Sequence, residues 1–153
     1  MKKVDIHVEV RADPRLLRSV RGLLCAWVRS QGFPESRAEE VTLAVDEACT
    51  NAIRHSYGGP CDETIELDLG TGEGGVEITV SDRGKPAPEG AVVARPPRAP
   101  DPSALKPGGL GVGLMRRVFD EVDFRRGEER GNAVHLFLRW PDGAPPPAED
   151  GAR

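Results

Sequence analysis

A chain of 153 residues with 25 acidic and 21 basic side chains, net charge −4 and pI near 5.4, is long enough to bury one hydrophobic core. The acid excess argues against a nucleic-acid-binding surface, and no apolar run approaches the roughly 20 residues of a membrane span. The start, MKKVDIHVEV, alternates apolar and polar residues where a signal peptide would run apolar, so a cytoplasmic location is expected.

Val4, Ile6, Val8 and Val10 repeat with period two and predict a first strand. Asp13 then Pro14 is a helix start, an N-cap residue followed by proline at the first helical position. Leu16, Leu17, Val20, Leu23, Leu24, Trp27 and Val28 keep helical spacing to about Gln31, and Gly32 closes the helix. Ser36 with Glu39 three residues on has the form of a capping box for a second helix, which Gly58-Gly59-Pro60 ends. Along it Val41, Val45, Ala48 and Ala52 make one apolar stripe. Thr64–Leu69 and Val76–Val80 predict two antiparallel strands joined through a Gly-rich hairpin.

Residues 85–107 are proline-rich without periodicity, the signature of a long mobile loop, either a lid or an insert. GGLGVG follows, then a short helix at about Leu114–Phe119 and two more strands, Val122–Arg125 and Ala133–Trp140. Residues 141–153, rich in Pro, Gly and acid, read as a disordered tail to a single domain spanning 1–140. Helices grouped against a mixed, mostly antiparallel sheet define an α+β two-layer sandwich, without the alternation of a Rossmann fold. Cys25, Cys49 and Cys61 form no C-x-x-C pair and read as small thiols, and His7, His55 and His135 lack ligand spacing.

Three motifs carry chemistry. On the second helix, Glu47 and Asn51 are one turn apart at the margin of the apolar stripe, with Arg54 beside them. They are either solvated helix polars or a carboxylate and carboxamide able to hold a magnesium ion and a hydroxyl nucleophile. Asp82-Arg83-Gly84, at the end of a strand, is either a turn or a carboxylate facing the amino group of a purine, with glycine admitting the base. Gly109, Gly111 and Gly113 precede a helix and are either a pliable loop end or bare amides suited to phosphate.

The order of the set is more specific than any member. It resembles the N, G1 and G2 boxes of the Bergerat-fold (GHKL) ATPases. Within them, EVTLAVDEACTNAIRHSYGG is similar to the anti-sigma-factor serine kinases, as are VDIHVEVRADPRLLRSVRGLL and GGLGVGLMRRVFDEV. The resemblance runs from Val4 to Trp140. It implies a serine-protein kinase using ATP and Mg2+, with a histidine-kinase-like ATPase fold. It also implies binding of a sigma factor, phosphorylation of a STAS-domain anti-sigma antagonist, and homodimer formation.

Residue by residue, the resemblance implies that Asn51 holds magnesium and Glu47 is the general base toward the substrate serine. Asp82 would bind the adenine amino group, with Gly84 beneath the base, and Gly109, Gly111 and Gly113 would line the phosphates. Arg54 and His55 fall where the family has flanking polar residues, although His55 reads equally as a structural helix histidine. Three features depart from the family pattern. Lys85 and Pro86 follow Gly84 where a further Gly is usual. Asn132 stands where many members have an adenine-contacting threonine, a place an amide can serve. Lys106 is the cation nearest the glycines, for a γ-phosphate or for solvent. Two other functions compete: a nucleotide-gated binding module without phosphate transfer, and a detached histidine-kinase ATPase domain. The latter is disfavoured because no helical pair with a phosphoacceptor histidine precedes the first strand.

Overall fold

The computed structural model describes residues 3–88 and 111–146. β1 (Lys3–Arg11) leads into a 3-10 turn (Pro14–Leu16) and α1 (Leu17–Ser30). As predicted, Asp13 is the cap: its carboxylate accepts the Arg15 backbone N–H at 3.0 Å and the Arg15 guanidinium at 2.8 Å. α2 spans Glu35–Asn51 and continues as a single π-helical turn, Ala52–Ser56. The hairpin β2 (Thr64–Gly72) and β3 (Gly75–Asp82) follows, then α3 (Gly111–Val118), β4 (Glu121–Arg126) and β5 (Asn132–Arg139).

Two local expectations are corrected. No capping box forms at Ser36 and Glu39, because the N-cap is Pro34, two residues earlier, without a side-chain cap, and α2 begins at Glu35. The proline's fixed φ of −64° already sets the entry, and Ser36 falls inside the first turn. The helix predicted from Leu114 begins at Gly111, so Gly111 and Gly113 belong to its first turn and do not precede it.

The strand order is β1-β2-β3-β5-β4, and all four pairings are antiparallel, so among the described residues the sheet holds no parallel pair. Period-two alternation puts Ile65, Leu67, Leu69, Val76, Ile78, Val80, Val134, Leu136 and Leu138 on one buried face. The helices cover that face with Val20, Leu24, Trp27, Val28, Val41, Val45, Ala48 and Met115, giving the expected two-layer α+β sandwich. Each fully buried leucine contributes about 1.5–3 kcal/mol. The other face is polar: His7 Nδ1 meets Asp68 Oδ1 at 2.7 Å, and Thr79 meets His135 at 2.8 Å. Of the expected tail, residues 141–146 are described, with Pro146 beside Gly32, and 147–153 lie outside the described residues.

Candidate functional site

A cleft of about 900 Å³, the size of a small-molecule site, opens between the end of α2, α3 and the β3–β5–β4 part of the sheet. Its apolar wall is Ala48, Ala52, Val80, Met115, Val122, Phe124 and Val134, and its polar groups include Asn51, Ser56, Asp82, Lys85, Arg116 and Asn132. Residues of all three sequence motifs, Asn51, Asp82 and Val112, therefore meet in one place.

Asn51 is the last residue of α2, brought to the cleft by the stripe that buries Val45, Ala48 and Ala52. Its Oδ1 is buried and has no hydrogen-bond partner among the described residues. A buried carbonyl oxygen left unpaired is costly, and a hard oxygen donor suits Mg2+. Among the described residues no group of three His, Cys, Asp or Glu could hold a metal alone. Glu47 is half-buried one turn earlier and is absent from the cleft wall.

The π turn sets the residues after Asn51. Tyr57 N donates to Ala52 O at 3.2 Å, one residue further back than in an α-helix, and Gly59 N closes the end on Ile53 O at 2.8 Å. Arg54 is exposed and is not among the residues of the cleft wall. His55 is exposed and reaches the wall. Ser56 is carried onto Asp82, with Oγ donating to Oδ2 at 2.9 Å. Tyr57 accepts the Arg83 N–H at 2.8 Å and donates to Thr64 O at 2.7 Å, and burial pushes its phenol pKa up.

Asp82 ends β3, and its Oδ1 accepts Gly84 N–H at 2.9 Å and Asn132 Nδ2 at 3.1 Å. Gly84 is needed for a reason within the protein itself. A Cβ there would lie 2.4 Å from Ser56 O, while Lys85 N donates to that same oxygen at 2.8 Å. Asn132 lines the cleft with its amide tied into the protein. Its Nδ2 lies 3.0 Å from Ser56 Oγ and 2.9 Å from Lys85 O, and its Oδ1 accepts Ala87 N–H at 2.7 Å. Three acceptors already exceed the two hydrogens of the amide nitrogen.

Gly111 heads α3 and Gly113 is exposed in its first turn, and Val112 between them lines the cleft. Gly109 and Lys106, with the lid expectation beyond residue 88, lie outside the described residues. Sequence reasoning missed Ser56, Arg116 and Phe124. Ser56 depends on a π turn with no residue signature, and Arg116 reads as an ordinary basic residue late in a helix.

Residues 10–138 match the histidine kinase-like ATPase domain family. The serine-protein kinase RsbW of Bacillus licheniformis is 30% identical over 80% of this chain and 79% of its own length. RsbW of Bacillus pumilus is 31% identical over 87% and 85%. The anti-sigma F factor of Geobacillus stearothermophilus is 26% identical over 86% and 90%. Among solved structures, one chain of the SiaB–SiaC complex from Pseudomonas aeruginosa superposes with a TM-score of 0.64 at 17% identity, covering 88% of this chain and 89% of that one. The RsbU and RsbW domains of Rv1364c from Mycobacterium tuberculosis give 0.62 at 21%, covering 88% and 31%. The chain belongs to the histidine kinase-like ATPase family, in the branch of the RsbW serine-protein kinases.

Proposed function

We propose that the cleft binds Mg-ATP and that the chain transfers the γ-phosphoryl group to a serine of a STAS-domain antagonist, while holding a sigma factor as an anti-sigma factor. The observation that carries the site reading is that one cleft collects the unpartnered Asn51 oxygen and the Asp82 carboxylate. The relatives' names, serine-protein kinase and anti-sigma F factor, support the activity and the partners.

In this reading Asp82 accepts a hydrogen bond from the adenine amino group, and Ala48, Ala52, Val80, Met115, Phe124 and Val134 cover the base. Asn51 Oδ1 holds Mg2+, which when bound neutralises phosphate charge. The first turn of α3, with Gly111 and Gly113, offers backbone N–H groups and the positive end of the helix dipole to phosphate. Gly109 is expected to extend that set, and Arg116 adds a cation on the cleft wall. Glu47 accepts the proton of the serine hydroxyl as its oxygen bonds to phosphorus and the bond to the β-phosphate oxygen breaks, releasing ADP. The protein contributes position and charge, which is most of what phosphoryl transfer needs. A cytoplasmic homodimer completes the reading; no helix among the described residues is long and apolar enough to cross a membrane.

A second reading, a nucleotide-gated module without transfer, is favoured by one observation: Glu47 does not line the cleft. Incubation with Mg-ATP labelled at the γ-phosphate and a purified STAS-domain protein decides between them. Labelled serine supports the kinase; nucleotide-dependent binding without label supports the module.

A further inference from the structure

Ser56 occupies a position that neither the motifs nor the proposed chemistry uses. Its hydroxyl lies between two site residues, 2.9 Å from Asp82 Oδ2 and 3.0 Å from Asn132 Nδ2. The amide nitrogen can only donate and has two hydrogens for three acceptors, while the Ser56 hydroxyl turns its own hydrogen to Asp82 Oδ2. The backbone of Ser56 is tied to the same loop, its carbonyl accepting Lys85 N–H at 2.8 Å with Gly84 pressed against it.

A carboxylate has about four acceptor positions. On Asp82, Gly84 N–H and Asn132 Nδ2 approach Oδ1, and Ser56 approaches Oδ2. Among the described residues, one acceptor position on Oδ2 is left, on a side chain that lines the cleft. We infer that Ser56, with Asn132 behind it, is a positioning residue for base recognition: the pair locks the Asp82 carboxylate so that its last acceptor meets the exocyclic amino group of a 6-aminopurine. The inference rests on the nucleotide reading of the cleft and deepens it. Ser56 acts through Asp82, and Asn132 serves as its brace and as the clasp on Lys85 and Ala87.

The test separates this role from a structural one by using a ligand that lacks only the amino group. Titration calorimetry of the full chain in Mg2+ compares ATP with purine riboside triphosphate, its 6-deamino analogue, for wild type, Ser56→Ala and Asn132→Ala. Loss of one oriented hydrogen bond to the acceptor should weaken ATP about three- to tenfold while changing the deamino analogue less than about twofold. Asn132→Ala should show the same pattern, so a Ser56 variant that fails to fold still leaves the idea open to refutation. Equal weakening of both ligands, or unchanged preference for ATP in both variants, overturns the inference. A wild-type chain that binds neither ligand overturns the nucleotide reading itself, an outcome distinct from the loss of selectivity.

Discussion

Asp82 and Asn132 are cross-strand partners at the ends of β3 and β5, and the Asn132 amide nitrogen donates to Asp82 Oδ1 at 3.1 Å. The same carboxamide holds Lys85 O and Ala87 N, both from residues of the cleft wall. Whatever reorients Asp82 is therefore felt at residues 85–87. Recognition in the cleft and the path of the chain beyond Gly84 share one side chain.

Asn51→Ala removes a buried oxygen that has no partner among the described residues. Folded stability should stay level or rise slightly, because no hydrogen bond is lost. Mg-dependent ATP binding should fall by about 100-fold or more, as for loss of a metal ligand. A urea melt and calorimetry with and without EDTA check both halves. Undiminished Mg-dependent binding removes the metal assignment.

Glu47→Gln keeps the shape of the side chain and removes its basicity. ATP affinity should be unchanged and serine phosphorylation should drop by about 10²–10⁴. Single-turnover transfer to a STAS-domain protein reads this directly, and transfer at the wild-type rate would assign the base elsewhere.

Gly84→Ala places a Cβ 2.4 Å from Ser56 O, a backbone atom that cannot swing away. The expected cost is about 1–3 kcal/mol of stability, measured by denaturant unfolding. The variant should also weaken ATP, since Ser56 and Asp82 are pushed apart. A neutral result would mean that the π turn yields easily.

Hydrogen bonds from Arg15 bring the Asp13 carboxyl down to about 2 from its ordinary value near 3.8. A lowered folded-state pKa gives stability that is complete above the ordinary value and lost as pH falls through the folded one. The contribution should vanish between about pH 4 and pH 2. Melting temperatures of wild type and Asp13→Asn, followed over that window, should converge at the acid end. A constant gap would contradict the assignment.

Burial pushes the Cys49 thiol up to about 12. Thiolate is the reactive form, so native Cys49 should resist iodoacetamide at pH 8 while the half-buried Cys25 and Cys61 are modified. Peptide mapping after a timed pulse checks the order.

The sandwich was legible because Ile65, Leu67 and Leu69, or Val41, Val45 and Ala48, announce their period and hence their face. Asn51 and Asp82 were legible as candidates because the N and G1 motifs are local in sequence. Ser56, and the clasp made by Asn132, were not: they depend on a π turn after Asn51 and on the β3–β5 register, which brings together residues 50 apart in the chain. The missing capping box at Ser36 has a simpler cause. Two patterns, Pro34 at the helix entry and Ser-x-x-Glu, competed for one start, and the proline's restricted φ won.

The most direct measurement of the central claim is capture of partners from the protein's own cell lysate in Mg-ATP and in Mg-ADP, with phosphoserine scored by mass spectrometry. The account predicts a sigma factor in one nucleotide state and a STAS-domain protein that becomes phosphorylated on serine. Nucleotide-dependent partners with no phosphate on any of them would contradict it and leave a binding module in place of a kinase.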